Sequence, residues 1–86
     1  MRLDKFLKIT RVVKRRTIAN ELCDSGNVSV NGDIKKALYS VKDGDRIDIR
    51  FYNRNFTVNV LKLPPESLRK EDVENYIKIE EIKGQN

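Results

Sequence analysis

The hydrophobic period of this chain changes at Gly26, and that change limits what it can fold into. Before it, Leu3, Phe6, Leu7, Ile9 and Val13 recur mainly at spacings of three and four, and Ile18, Ala19, Leu22 and Cys23 form a second stripe. That is the rhythm of helices with one apolar face. After it, Val28 and Val30 alternate with polar neighbours, as do Ile47, Ile49 and Phe51, and then Phe56, Val58 and Val60. That is the rhythm of strands. Helices first and strands afterwards predict the α+β class: two short N-terminal helices packed on a small, mainly antiparallel sheet.

Local signals place the boundaries. The first helix is predicted over about residues 3–9, with Asp4 in its first turn, where a carboxylate complements the helix dipole. Residues 10–16 read as a basic connection, and Thr17 as the N-cap of the second helix, with Glu21 following. Gly26 falls just past the end of that helix, where a left-handed residue is a common terminator. Asn31-Gly32 is a strong signal for a tight type I′ hairpin. Residues 34–40 continue it weakly, and Lys42-Asp43-Gly44-Asp45 reads as a turn. Arg46 to Phe51 alternates cleanly, and Tyr52-Asn53-Arg54-Asn55 reads as a second turn. The next strand puts Phe56, Val58, Val60 and Lys62 on one side and Leu61 and Leu63 on the other, until Pro64-Pro65 ends it. Residues 66–75 are charged and helix-compatible, and residues 76–82 read either as a last strand or as more helix. Gly84-Gln85-Asn86 are expected to fray. Residues 1–50 read as the core, and residues 51–86 as a strand plus C-terminal helix or strand completing the same single domain.

Size and residue types narrow the function classes. An 86-residue chain buries only about 60–65% of its unfolded surface, so its core is small. The single cysteine, Cys23, cannot form an internal disulfide and reads as a small core residue in a reducing, cytoplasmic setting. No apolar run approaches the roughly 20 residues needed to cross a bilayer, and no signal-peptide stretch follows the basic N-terminus. There is no histidine, which removes the commonest general base and metal ligand, and one cysteine leaves no ordinary zinc site. No glycine-rich phosphate loop or nucleophile elbow appears. The pairs Glu71/Asp72 and Glu80/Glu81 read as surface charge. No catalytic residue, cofactor or metal is assigned.

Charge supplies the positive signal. Residues 1–50 hold 12 Lys/Arg against 7 Asp/Glu, while residues 51–86 hold 6 of each. Seven cations fall in the first sixteen residues: Arg2, Lys5, Lys8, Arg11, Lys14, Arg15 and Arg16. Such clustering on a folded element points to a polyanion. Lys8, Arg11 and Arg15 would share a face if the helical path were continuous. Lys14-Arg15-Arg16 precedes the second helix, whose free N–H groups also favour an anion. Asn31 in the turn, with Lys35 and Lys36 beyond it, extends the basic face. Tyr39 reads as a packing residue or a base-stacking one. Asp4 has two readings: it orients Arg2 and Lys5 or caps the helix, or it touches a base or ribose hydroxyl. Neutralising about five phosphates would give a log–log salt slope of roughly −3.5 to −4.5.

Four segments in order carry a resemblance. They are Arg2-Leu3-Asp4-Lys5-Phe6-Leu7, Lys14-Arg15-Arg16-Thr17, Gly26-x-Val28-x-Val30-Asn31-Gly32 and Val41-Lys42-x-Gly44-Asp45. Together they resemble the S-four-type RNA-binding domain, the module named after small-subunit ribosomal protein four, over about residues 1–50. The resemblance implies the alpha-L arrangement, in which two helices and the first hairpin form an RNA-docking face. Many relatives join this module to an enzyme. Here little chain follows it, which resembles the stand-alone members, closest to the RqcP family of ribosome-associated quality control factors and related to the fifteen-kilodalton heat-shock proteins. That likeness implies a monomeric, non-catalytic adaptor. It would bind obstructed large (50S) ribosomal subunits holding peptidyl-tRNA, contact 23S rRNA and tRNA, and steady the tRNA while an RqcH-type factor adds C-terminal alanine tails. Arg2, Asp4 and Arg16 are implied at the RNA junction. The alternatives are nascent-chain–50S recycling of heat-shock type and DNA binding of winged-helix type. Against the latter, the body of the second helix carries Glu21 and Asp24 and no cation.

Overall fold

A computed structural model describes residues 1–83, so the expectation for Gly84-Gln85-Asn86 lies outside the described residues. The elements are α1 (Leu3–Ile9), α2 (Arg16–Asp24), β1 (Val28–Val30), β2 (Asp33–Ile34), β3 (Arg46–Phe51), β4 (Arg54–Val60), a 3-10 helix (Lys70–Asn75) and β5 (Ile77–Lys83). All strand pairs are antiparallel, in the order β2-β1-β3-β4-β5. This is the α+β arrangement that the change of period predicts.

The core sits where the helical stripes meet the alternating strands. Leu3, Phe6 and Leu7 of α1 and Ala19 and Cys23 of α2 cluster with Val28, Val30, Ile47, Ile49, Val58 and Val60. Full burial of such a Leu, Phe, Val or Ile side chain contributes about 1.5–3 kcal/mol. Among the described residues no helix is long and apolar enough to cross a membrane.

The end of α1 corrects one expectation. The Thr10 hydroxyl donates to the Phe6 carbonyl at 2.8 Å, and Arg11 then turns the chain with φ 66° while its N–H donates to the Lys8 carbonyl. A left-handed residue cannot continue an α-helix. The helical path is therefore broken, and Lys8, Arg11 and Arg15 do not form one helical face. The start of α2 corrects another. Arg15 is extended (φ −121°, ψ 136°), and its carbonyl accepts the Ala19 N–H at 3.0 Å, so Arg15 and not Thr17 is the N-cap. At the other end of α2 the Gly26 N–H donates to Cys23 and the Asn27 N–H to Leu22, the paired bonds of a Schellman cap, with Gly26 at φ 86°.

The Asn31-Gly32 turn has φ of 52° and 93° and opposes Val30 to Asp33, as a type I′ hairpin requires. The weak continuation after it contributes only Asp33 and Ile34 to the sheet. The second turn is shorter than its composition suggests: Phe51 pairs with Arg54, leaving Tyr52 and Asn53 as the loop. β4 stops at Val60, before Pro64-Pro65, because β3 begins at Arg46 and offers no partner further along. The N–H groups of Leu61 and Lys62 both turn to the Tyr76 carbonyl instead. Residues 66–75 supply only Leu68 and Val73 as apolar anchors, and a 3-10 helix over Lys70–Asn75 forms there. Residues 77–83 are strand, in register with β4 from Val60↔Ile77 onward.

Candidate nucleic-acid interface

Backbone bonds hold the first residues rigidly. The Leu3 N–H donates to Tyr39 at 2.8 Å, the Val41 N–H donates to Met1 at 2.9 Å, and Arg2 bridges to Ser40. Arg2 is thus fixed as the residue before α1, and Asp4 enters the first turn of that helix pointing at α2.

Asp4 is only 2% exposed, yet its carboxylate is fully engaged. It accepts the Lys5 N–H at 2.8 Å, Asn20 Nδ2 at 3.1 Å, and Arg2 through Nε at 3.2 Å and Nη2 at 3.3 Å. Arg16 reaches it through Nη2 at 3.4 Å, with Nε also 3.4 Å away. Burial works against the charged form, but hydrogen bonds from Asn20, Arg16 and Arg2 outweigh it and hold the carboxyl below its ordinary value. The carboxylate is therefore ionised and sits beneath the two arginines.

The arginine side chains keep 43% and 47% of their surface in solvent. Each guanidinium has five N–H donors, so donors remain on the outer edge of both. Two forks around one carboxylate leave net positive charge and a planar donor array suited to phosphate or ribose oxygens. No side chain among the described residues caps α2, whose first N–H groups open beside Arg16. Of the two readings for Asp4, the geometry favours orientation: it gathers Arg2 and Arg16. Lys5 is engaged elsewhere, on Glu66 at 2.9 Å, and Lys8 is exposed on α1.

A second polar cluster lies beyond the hairpin. Asp45 accepts Tyr39 Oη at 2.8 Å, the Lys42 N–H at 2.9 Å and Asn31 Nδ2 at 2.9 Å, while Asn31 Oδ1 accepts the Arg46 N–H. Burial opposes ionisation of Asp45, but the Lys42 N–H, Tyr39 and Asn31 outweigh it and lower its pKa. Burial and the bond to Asp45 push the Tyr39 phenol up. Lys35 and Lys42 stand over the Tyr39 ring at 5.3 Å and 5.9 Å, so the ring is a cation–π partner. Asn31 thus spends its side chain on the fold. Lys36 Nζ donates to the Asp24 carbonyl at the end of α2, and Asp24 in turn accepts the Ala37 N–H.

Arg11, Lys14 and Arg15 lie apart from the Asp4 centre. They line a trough with Ile18 and Phe51, on another side of α2. Five of the seven cations in the first sixteen residues therefore fall into two groups, with Lys5 and Lys8 in neither, and they do not form one stripe. Sequence reasoning passed over Asn20, Arg50 and Arg54. The spacing of Asn20 four residues after Arg16 was the available signal, since such residues share a helix side.

Residues 1–47 match the S4 domain family. The chain is 49% identical over 72 residues to the RQC P-site tRNA stabilizing factor of Halalkalibacterium halodurans, covering 84% of this chain and 81% of that one. It is 43% identical over 83 residues to the protein of that name from Bacillus subtilis, covering 96% of each. This chain belongs to the S4-domain RQC P-site tRNA stabilizing factor family. Solved structures agree with the fold. The solution structure of the hypothetical protein HP1423 superposes with a TM-score of 0.79 at 34% identity, covering 93% of this chain and 96% of that one. Vibrio cholerae Heat Shock Protein 15 superposes with a TM-score of 0.81 at 26% identity, covering 93% and 81%. The family match spans Arg2, Asp4, Arg16 and Asn20 as well as the Asn31–Asp45 cluster.

Proposed function

We propose that this chain is a non-catalytic RNA-binding adaptor of bacterial ribosome quality control. It binds obstructed large subunits that retain peptidyl-tRNA. There it bridges 23S rRNA and the tRNA and slows escape of the tRNA while a tailing factor of RqcH type extends the stalled chain with alanine. It acts as a monomer in the cytoplasm, with residues 51–86 completing the same domain. The observation that carries this reading is the Arg2–Asp4–Arg16 centre, two half-exposed guanidinium groups gathered by one buried carboxylate. The name of its relatives, RQC P-site tRNA stabilizing factor, supports the tRNA part. Lys8, Lys35 and Lys36 add longer-range attraction to phosphate, and Lys5 joins them where RNA displaces its Glu66 partner. Contacts of this kind go to phosphate and 2′-hydroxyl groups and read shape more than sequence.

A second reading, recycling of large subunits carrying nascent chains, has only the fold likeness to Heat Shock Protein 15 at 26% identity beside it and is the weaker one. Capture of the tagged chain from bacterial cells, followed by sequencing of the bound nucleic acid, both RNA and DNA, tests the proposal. The expected result is 23S rRNA together with tRNA. Recovery of duplex DNA, or of 23S rRNA without tRNA, contradicts it.

A further inference from the structure

The second group of cations surrounds a surface unlike the first. Two troughs of about 420 and 360 Å³ adjoin along α2 and share Ile18 and Phe51. Their half-buried walls include Val12, Ile18, Leu22, Phe51 and Phe56. The exposed cations Arg11, Lys14, Arg15 and Arg54 stand at one trough, and Arg50 and the exposed carboxylate of Glu21 at the other. Arg11, Lys14, Arg15 and Arg50 have no ion-pair partner among the described residues, whereas Arg54 is held by Glu81 at 2.8 Å. At ~100° per residue, Ile18 and Leu22 fall nearly opposite Arg16 and Asn20 on α2, so the apolar walls lie away from the Asp4 centre, with Glu21 between the two sides.

Tyr52 marks the rim. It is 85% exposed, holds φ 58° at the tip of the β3–β4 hairpin, and stacks on Phe51 with ring centroids 4.7 Å apart. A bulky residue in the left-handed region is strained, and glycine would relieve that strain. The hairpin keeps an exposed aromatic in a backbone conformation that glycine adopts without strain.

We propose that this surface docks an acidic amphipathic helix of a protein partner. An apolar floor with a charged rim is the anatomy of a protein interface. The branched side chains of Val12, Ile18 and Leu22, with the rings of Phe51 and Phe56 beside them, accept side chains spaced i, i+3, i+4 and i+7 on a helix. The surplus of unpaired cations fits carboxylates flanking that apolar stripe. The proposal does not depend on the RNA reading, because it uses the other side of α2.

The test is fluorescence anisotropy on the full chain with a labelled synthetic helix carrying Leu and Phe on one face and Glu beside it. A scrambled peptide of the same composition and oligouridylate serve as competitors. The helix is expected to bind at least about tenfold more tightly than the scrambled peptide, and Tyr52→Gly and Arg50→Glu are each expected to weaken it by about tenfold. Tyr52→Gly is expected to keep or raise the melting temperature and to leave tRNA binding unchanged. Absence of binding, equal binding of the scrambled peptide, or unchanged affinity in both variants overturns the proposal. So does displacement of the helix by oligouridylate whose own binding falls with Tyr52→Gly, which would make the surface a single-stranded RNA platform.

Discussion

Arg2 and Arg16 close on the same carboxylate, that of Asp4, from the N-terminal ends of two different helices. The contact does two things at once. It ties α1 to α2 through a buried ion, and it presents two guanidinium groups side by side at the surface. A buried carboxylate with this many donors is costly to disturb, since losing its charge weakens every bond it accepts.

Asp4→Asn keeps the shape and removes the charge. The arginines are nearly half exposed, so solvent screening reduces what their pairing is worth. A stability loss of about 1–2 kcal/mol is expected, which for a domain of this size lowers the melting temperature by about 4–16 °C. Thermal unfolding followed by circular dichroism measures it.

Acid should destabilise the fold through Asp4 and Asp45. Both carboxyls are held below their ordinary value of 3.8 in the folded chain, so the unfolded chain binds more protons in acid. Their contribution is complete above the unfolded value and is lost as pH falls through the lower folded values. Urea midpoints taken from pH 7 down to pH 3 should fall, and fall less steeply in Asp45→Asn.

Cys23 should be chemically silent. It is fully buried, and burial, with Asp4 and Asp24 nearby, pushes its thiol up to about 12. A thiol reagent at pH 8 should label it only as fast as the chain opens. Labelling should therefore accelerate in urea in step with unfolding.

Gly26→Ala should cost about 1 kcal/mol, although no atom beyond its chain neighbours lies within 4 Å of the added carbon. The penalty comes from φ 86° at the Schellman cap and not from crowding. A drop of about 4–8 °C in melting temperature is the expected reading.

How much of this was legible in sequence depends on whether the signal was local. Both helices, the Asn31-Gly32 hairpin and β3 follow from period and turn residues, because neighbours in sequence determine them. The end of β4 was not legible. It depends on where β3 begins across the sheet, which Pro64-Pro65 does not report. The broken path at Arg11 was hidden as well, since arginine gives no warning of a left-handed conformation. The candidate site divides in the same way. Arg2, Asp4 and Arg16 are conspicuous as charges, but their common focus is a contact across two helices, and Asn20 joins it from within α2. The grouping of Arg11, Lys14 and Arg15 with Phe51 requires the sheet to be in place first.

The central claim is that Arg2 and Arg16 grip RNA as one unit. Its most direct test is a double-mutant cycle: the affinity of wild type, Arg2→Ala, Arg16→Ala and the double variant for large ribosomal subunits carrying peptidyl-tRNA, at one fixed salt concentration. Each single variant is expected to stay folded and to lose at least about tenfold in affinity, and the double variant to be weaker than either single by less than the product of their losses, a coupling of about 0.5–3 kcal/mol. Single variants that bind as tightly as wild type, or losses that simply multiply, would contradict it.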